Sequence, residues 1–363
     1  MPFFQSRISI LPVAGLALLI SFAGQAAAQQ AGQGIFAGAR ACRADMRKLC
    51  ADVAPGGGRI IQCLRDNESA LSPGCQQAVV GMQTSPAGND GQAGGKRAED
   101  KGPPALPQGM TVMRDLAYGK APQQRLDVYR PAKAQNAPVI VMLHGGAWAF
   151  GTKEARGVVE NKVAHYLPRG YIFVSVETRL VPDADPLAQA DDLAAALANV
   201  QKNAASWGGD ASKLVLIGHS AGAHLVALLS ADPSIAAKAG AKPWMATIAL
   251  DSAAYDISEI MKARHAKFYD KAFGADPAYW AKASPSVQIA KTPEKSPAGR
   301  ILLVCSSLRS NSCPQAETFA KEAGGRAKIL PVALRHMPIN ATLGADNQYT
   351  KDVDAFLATL GLK

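Results

Sequence analysis

The chain has 363 residues, of which 48% are hydrophobic and 19% charged, and its formal net charge is +10 at pH 7. This composition excludes a globally disordered chain, and the length allows one large domain with a full core plus a small additional unit. The basic residues are scattered, with no basic run that contains interleaved aromatic residues, which argues against a nucleic-acid-binding protein.

The first 28 residues have the features of a secretory signal peptide. A positive charge at Arg7 precedes an apolar stretch, 8–20, that is too short to span a bilayer, and small residues lead to an A-x-A site at 26–28. We therefore expect cleavage after Ala28, a mature protein in the periplasm or outside the cell, and no integral membrane segment after cleavage. A retained membrane anchor is the alternative.

A small cysteine-rich unit follows at 36–80. Helical spacing at 41–50, and again from residue 59 towards residue 75, predicts a helical hairpin around the turn at 55–58. So short a unit cannot build a sufficient apolar core, and an oxidising compartment favours disulfides. In a hairpin the nested pairing is the natural one among three possibilities, and it joins Cys42 to Cys75 and Cys50 to Cys63. Zinc is the competing interpretation, but the segment lacks C-x-x-C spacing and a nearby histidine.

Residues 41–78 resemble the cysteine-rich repeat of the Golgi-apparatus-protein-1 type, in the form C-x-x-D…C…G-G-G-R-I…C-L…L-S…C. The resemblance implies no particular activity, and binding of an envelope partner is the role that we consider for this unit. Residues 81–108 are rich in Gly, Pro, Asn, Ser and Lys, with almost no large apolar residue, and they predict a flexible linker.

From residue 109 to residue 363 the pattern alternates between strands and helices. Residues 125–129 alternate as an early antiparallel strand does, and helices are predicted at 190–201 and 347–360. Apolar runs predict further strands at 137–143, 171–176, 214–217, 246–250, 301–304 and 327–330. This alternation predicts an α/β domain with a mostly parallel sheet that is covered on both faces.

The sequence GHSAG at 218–222 lies between a predicted strand and an alanine- and leucine-rich helical segment. A strand, a sharp turn and a helix in that order place Ser220 at the apex of the turn, where the flanking glycines suit a backbone too crowded for a Cβ. We interpret Ser220 as a nucleophile and expect the N–H of Ala221 to point at an oxyanion.

A second motif, HGGAW at 144–148, directly follows the first predicted buried strand. Two glycines at a strand end let backbone N–H groups approach an oxygen closely, so Gly145, Gly146 and Ala221 are the predicted donors of an oxyanion hole. Trp148 either lines an acyl pocket or packs the loop.

Together with ETRLVP at 177–182, these motifs resemble the α/β-hydrolase superfamily, and within it the esterase, arylformamidase and feruloyl-esterase-like branch. The family usually has tyrosine before the arginine, where this chain has Thr178. The resemblance covers roughly residues 110–363. It implies an eight-stranded α/β-hydrolase fold and hydrolysis of carboxylic esters or amides.

The predicted nucleophile needs a base, because a serine hydroxyl attacks poorly until its proton is removed. The fold has the chain order serine, acid, histidine, and His336 follows the last predicted strand, where the family has its base. We interpret His219 and His224 as packing residues and His265 as a solvated residue of a polar insertion.

The acid is harder to assign, because the loop at 305–313 has no carboxylate where the family has an aspartate. Asp251, directly after the predicted strand at 246–250, is our first choice, since some α/β-hydrolases have the acid at the end of the corresponding strand. Asn311 or Glu317 could orient the histidine instead. A disulfide between Cys305 and Cys313 would hold this loop in one conformation.

The sequence thus predicts an exported serine hydrolase that cleaves small carboxylic esters and needs no metal or other cofactor. Hydrolysis of aryl formamides is the alternative activity. The alternative from another functional class is a binding protein. In it the hydrolase domain is a weakly active or inactive scaffold, and the cysteine-rich unit binds an envelope partner. The sequence does not indicate the acyl specificity, the alcohol specificity or the oligomeric state.

Overall fold

A computed structural model describes residues 41–51, 53, 59–84, 106–292 and 299–362. The predicted signal peptide and the middle of the predicted linker lie outside these ranges. The chain divides into two compact units, an N-terminal cysteine-rich module and a C-terminal α/β domain. None of the helices in the described ranges is both long and apolar enough to cross a membrane.

The cysteine-rich module consists of helices α1 (Arg43–Leu49), α2 (Arg59–Asp66) and α3 (Pro73–Thr84). The structure pairs Cys42 with Cys75 and Cys50 with Cys63, which is the nested arrangement. The prediction of one continuous second helix towards Cys75 was wrong. Leu71 is extended and α3 starts anew at Pro73. Pro73 disfavours the helical conformation at Ser72, and proline is tolerated in the first turn of a helix.

The α/β domain is built on one eight-stranded sheet with the order β1-β2-β4-β3-β5-β6-β7-β8. Strands β1 and β2 are antiparallel to their neighbours, and the other strands are parallel. The strands are β1 (Met110–Ala117), β2 (Arg125–Pro131), β3 (Ala137–Leu143), β4 (Ile172–Val176), β5 (Gly209–His219), β6 (Ala246–Leu250), β7 (Arg300–Ser306) and β8 (Ala327–Val332).

Helices connect these strands, and several short ones lie between β6 and β7. The helices are α4 (Arg156–Tyr166), α5 (Pro186–Asn203), α6 (Ala221–Ala231), α7 (Pro233–Lys238), α8 (Ile257–Lys262), α9 (Lys267–Phe273), α10 (Pro277–Lys282), α11 (Pro285–Ile289), α12 (Ser312–Glu322), α13 (His336–Ala341) and α14 (Gln348–Ala358). This architecture confirms the predicted α/β-hydrolase fold class.

The sheet is buried on both faces, which explains why its strands are continuously apolar rather than alternating. On β3, Val139 and Val141 pack with residues of α5 and α6, whereas Ile140 and Met142 pack with residues of α4 and α14. All four side chains are fully buried. The parallel strands end at one edge of this rigid sheet, and the loops at that edge carry the predicted site residues.

Candidate active site

Ser220 lies at the turn between β5 and α6 with φ +55°, a left-handed conformation that is uncommon outside glycine. The turn packs tightly against the end of β3. A Cβ on Gly222 would come within 2.4 Å of the carbonyl oxygen of His144, which explains why this position has glycine. The strain places the Ser220 hydroxyl at the sheet edge rather than in the core.

The structure brings Ser220, His336 and Asp251 into one hydrogen-bonded series. His336 Nε2 lies 2.9 Å from Ser220 Oγ, and His336 Nδ1 lies 2.6 Å from Asp251 Oδ2. His336 is the first residue of α13 after β8, and Asp251 directly follows β6. Three loops at the same sheet edge therefore supply the three side chains.

Asp251 is fully buried, and hydrogen-bond donors surround its carboxylate. Oδ1 accepts hydrogen bonds from the Ser306 amide at 2.8 Å and from the Ser312 hydroxyl, and Oδ2 is also 2.6 Å from Arg309 Nη1. Burial alone would raise the pKa of Asp251, but the hydrogen bonds from His336, Ser312 and Ser306 outweigh burial and hold this pKa well below its usual range. Asp251 is therefore ionised at neutral pH.

The two other acid candidates lie elsewhere. Asn311 is the exposed residue that precedes α12, and Glu317 is exposed on that helix. The loop after β7 instead contributes Arg309 and Ser312, which sequence reasoning missed. The sequence signal for the position of the acid was an absence. Because the loop after β7 has no carboxylate, the acid has to come from the end of a neighbouring strand.

The HGGAW segment forms a tight turn above the Ser220 hydroxyl. Gly146, Ala147 and Trp148 all have positive φ values, and a Cβ on Gly145 would lie 2.8 Å from the carbonyl oxygen of His219. Backbone N–H groups can thus come close to a ligand oxygen here. The N–H of Ala221, at the first position of α6, has no acceptor within its own helix.

His144 fixes this turn from behind. Its Nδ1 lies 2.8 Å from the carbonyl oxygen of Gly145, and its Nε2 lies 3.1 Å from Glu177 Oε1. Burial would lower the pKa of His144, but the hydrogen bond and charge of Glu177 reverse that effect and raise it. The sequence motif contained Glu177, but this contact with His144 was not foreseen.

Gly145, Gly146, Ala221 and Ser220 line a cavity of about 590 Å³, together with Asp251, Arg309 and His336. Trp148 contributes to one wall, next to Phe268 and Tyr269. The indole of Trp148 is buried, and its N–H donates to His224 Nδ1 at 3.2 Å. Trp148 therefore both lines the cavity and packs the loop.

The remaining histidines have structural contacts. His219 Nε2 lies 3.1 Å from the carbonyl oxygen of His336, and His224 Nε2 lies 2.7 Å from that of Ala283. Burial lowers the pKa of His219 to about 3, with a further contribution from His336, and burial lowers the pKa of His224 to about 4. His265 is half-buried, 2.9 Å from Asp270 Oδ1, rather than fully solvated.

Comparisons with known proteins agree with this architecture. Residues 126–292 match the BD-FAE family, and residues 39–70 match the family described as a cysteine rich repeat. Carboxylesterase NlhH from Mycobacterium tuberculosis is 36% identical over 129 residues, which are 35% of this chain and 40% of that protein. The matched part of the α/β domain is thus similar to the esterase branch of the α/β-hydrolase superfamily.

Other relatives share shorter or more distant similarity with this chain. A probable isoprenylcysteine alpha-carbonyl methylesterase from Oryza sativa subsp. japonica is 34% identical over 117 residues, 32% of this chain and 27% of that protein. The chain thus spans only about a quarter to two fifths of the curated relatives it matches. The crystal structure of esterase B from Lactobacillus Rhamnosis superimposes with a TM-score of 0.57, at 22% identity, covering 71% of this chain and 87% of that one.

Proposed function

We propose that this chain is an exported serine hydrolase that cleaves small carboxylic esters through an acyl-enzyme on Ser220. The observation that carries the proposal is the series Ser220 Oγ–His336 Nε2–His336 Nδ1–Asp251 Oδ2, with separations of 2.9 and 2.6 Å, at the edge of a cavity. The names of the carboxylesterase relatives support the same reaction class.

In the first half of the reaction, Ser220 Oγ attacks the ester carbonyl while His336 Nε2 removes the hydroxyl proton. The carbonyl oxygen becomes an oxyanion that accepts hydrogen bonds from the N–H groups of Gly145, Gly146 and Ala221. His336 then donates its proton to the alkoxide oxygen as the C–O bond breaks. The alcohol leaves, and the acyl group stays on Ser220.

In the second half, a water molecule attacks the acyl-enzyme while His336 takes one of its protons. The tetrahedral intermediate collapses, His336 returns the proton to Ser220 Oγ, and the carboxylic acid leaves. Asp251 holds the imidazole in the tautomer with its lone pair on Nε2 and balances the imidazolium charge. No metal or organic cofactor enters these steps.

Asp251 is our proposed acid in preference to Asn311 and Glu317. Its carboxylate contacts His336 at 2.6 Å, while the two alternatives are exposed. Export to an oxidising compartment is supported by the pairing of all six cysteines in disulfides.

The test is hydrolysis of p-nitrophenyl acetate and butyrate by the oxidised protein. We expect Ser220→Ala to lower kcat by on the order of 10⁶-fold, whereas Ser206→Ala, at an exposed serine, serves as the matched control. A fluorophosphonate should add one label, on Ser220, by peptide mass spectrometry. Full activity in Ser220→Ala would overturn the proposal.

The aromatic wall formed by Trp148, Phe268 and Tyr269 favours a flat substituent, which keeps aryl formamides as a second candidate substrate class. An aryl formamide belongs in the same assay for this reason. Turnover of the formamide with none of the esters would support this alternative, and Ser220 would have the same role in it. Turnover of neither class would favour the inactive scaffold.

A further inference from the structure

Arg309 occupies an unusual position for a cation. Its Nη1 lies 2.6 Å from Asp251 Oδ2 and 3.0 Å from His336 Nδ1, and the same nitrogen is 3.3 Å from the carbonyl oxygen of Asp251. The side chain is 30% exposed and lines the cavity that contains Ser220. Of the described residues that line this cavity, Arg309 is the only lysine or arginine, and Asp251 is the only carboxylate.

Arg309 and His336 share one partner. The charge of Asp251 offsets that of Arg309, and both Arg309 Nη1 and His336 Nδ1 contact the same oxygen, Oδ2. When His336 takes the proton of Ser220 in the proposed reaction, it therefore becomes a second cation beside Arg309. A substrate anion next to Arg309 would reduce the repulsion between these two cations.

The guanidinium retains the capacity to bind such an anion. A guanidinium has five N–H donors in a planar fork, and the side-chain hydrogen bonds of Arg309 to the described residues use Nη1. Arg309 also opposes the rise that burial causes in the pKa of Tyr269, which indicates that its charge reaches the aromatic wall of the cavity. A carboxylate there can accept two parallel hydrogen bonds.

We propose that Arg309 binds a carboxylate of the substrate, so that the preferred substrates are esters that carry a free carboxylate close to the scissile bond. The inference rests on the proposed ester hydrolysis at Ser220. It adds the substrate class, since the anion both anchors the substrate and offsets the charge of Arg309 when His336 becomes protonated. The Cys305–Cys313 disulfide closes the loop that carries Arg309.

Two pairs of esters of matched shape test this proposal, one for each side of the scissile bond. Monoethyl succinate and ethyl 4-methylpentanoate differ in a carboxylate on the acyl side, and butyryloxyacetate and isobutyl butyrate differ in a carboxylate on the alcohol side. Acid release is followed by titration at constant pH. For at least one pair, we expect the wild-type kcat/KM to be about tenfold or more higher for the anionic ester.

Arg309→Gln should lower this anionic-to-neutral ratio about tenfold or more, and Arg309→Lys should give an intermediate ratio because it keeps the charge but loses the fork. Arg300→Gln is the matched control, since Arg300 is exposed at the opposite end of β7, and its ratio should equal that of the wild type. The thermal midpoint of each variant checks folding, and Arg309→Lys carries the test if Arg309→Gln fails to fold.

A wild-type ratio near one for both pairs would overturn the proposal. So would a high ratio that Arg309→Gln leaves unchanged, including the case in which both esters of a pair lose activity equally, because Arg309 would then only support Asp251. Hydrolysis of the neutral esters that depends on Ser220 tests the proposed function separately. If the wild-type protein hydrolyses p-nitrophenyl butyrate through Ser220 but none of the four esters, the carboxylate proposal fails and the proposed function stands.

Discussion

Both units of this chain contain a buried aspartate whose carboxylate accepts hydrogen bonds from a serine hydroxyl and a backbone amide, and the two carboxylates have different further contacts. In the cysteine-rich module, the buried carboxylate of Asp45 accepts hydrogen bonds from the hydroxyl and the amide of Ser72, at 2.6 and 3.3 Å. In the α/β domain, Asp251 accepts hydrogen bonds from the Ser312 hydroxyl and the Ser306 amide. In both places a disulfide-bonded cysteine follows the serine in the sequence, with Cys75 three residues after Ser72 and Cys313 directly after Ser312.

The difference lies in what else each carboxylate faces. Asp45 joins α1 to the start of α3 in a unit whose buried core is largely made of cystines, with Leu64, Leu71 and Val79. Asp251 also contacts His336 and Arg309 at the cavity edge, beside the large apolar core of the sheet. The comparison shows that a buried carboxylate with serine donors can join two helices of a small unit or hold an imidazole at a cavity.

Among the changes that compare the two units, Asp251→Asn should give the largest effect. The amide cannot balance an imidazolium and favours the wrong tautomer of His336, so kcat for p-nitrophenyl butyrate should fall about 10⁴-fold. Asp45→Asn is the matched control, which should change the stability of the module and leave kcat as in the wild type. A loss below tenfold in Asp251→Asn would mean that Asp251 is not the acid.

Acid should unfold the α/β domain through its buried histidines. The pKa values of His219 and His224 are about 3 and about 4 in the folded state, below the usual 6.5. Their contribution to the free energy of unfolding is therefore fully present above pH 6.5. It is lost as the pH falls towards 4, because these histidines are protonated in the unfolded chain at a higher pH than in the folded protein. The free energy of unfolding should drop by about 1.4 kcal/mol per pH unit for each histidine.

Denaturant unfolding at several pH values measures this slope, and His224→Gln should reduce it by about 1.4 kcal/mol per pH unit. Glutamine keeps a polar partner for Trp148 without a titrating group. The described part of the cysteine-rich module contains no histidine, so its unfolding should lack this contribution. An unchanged slope in His224→Gln would contradict the prediction.

Removal of one module disulfide, by the double change Cys42→Ala and Cys75→Ala, should destabilise the module by about 2–5 kcal/mol. Little apolar burial is left to compensate, so the module should become sensitive to proteases. Limited proteolysis with mass spectrometry locates the cleavage sites, and ester kcat/KM should equal that of the wild type. A fall in kcat/KM would mean that the module shapes the active site.

The corresponding double change at Cys305 and Cys313 should have the smallest effect. The loop that this disulfide closes is short, with a sequence separation of 8, and the surrounding sheet stays packed, so the loss should be about 2–3 kcal/mol. We expect a lower thermal midpoint and a several-fold lower kcat, because Arg309 and Ser312 hold Asp251 less firmly. Unfolding of the whole domain in this variant would show that the comparison between the two units is wrong.

Much of this architecture could be read from local patterns. The apolar runs predicted the central strands within a few residues, since a strand covered on both faces has to be apolar throughout. The end of α2 at Asp66 and the new start of α3 at Pro73 were not predicted, because the helical spacing of the apolar residues continues across this segment. Strand β1 was also not identified, since its burial is irregular and its only partner is the antiparallel β2.

The sequence by itself determined the fold class, the strained turn at Ser220 and the candidate donors of the oxyanion hole, because each depends on neighbouring residues and on backbone crowding. Only the tertiary structure decided which carboxylate meets His336. That contact joins residues 85 positions apart, which follow β6 and β8, and these two strands lie on either side of β7 in the parallel sheet. Arg309 follows β7, the direct neighbour of β6, and it therefore also lies against Asp251. Strand order in the sheet, rather than distance along the chain, decides which charged side chains meet.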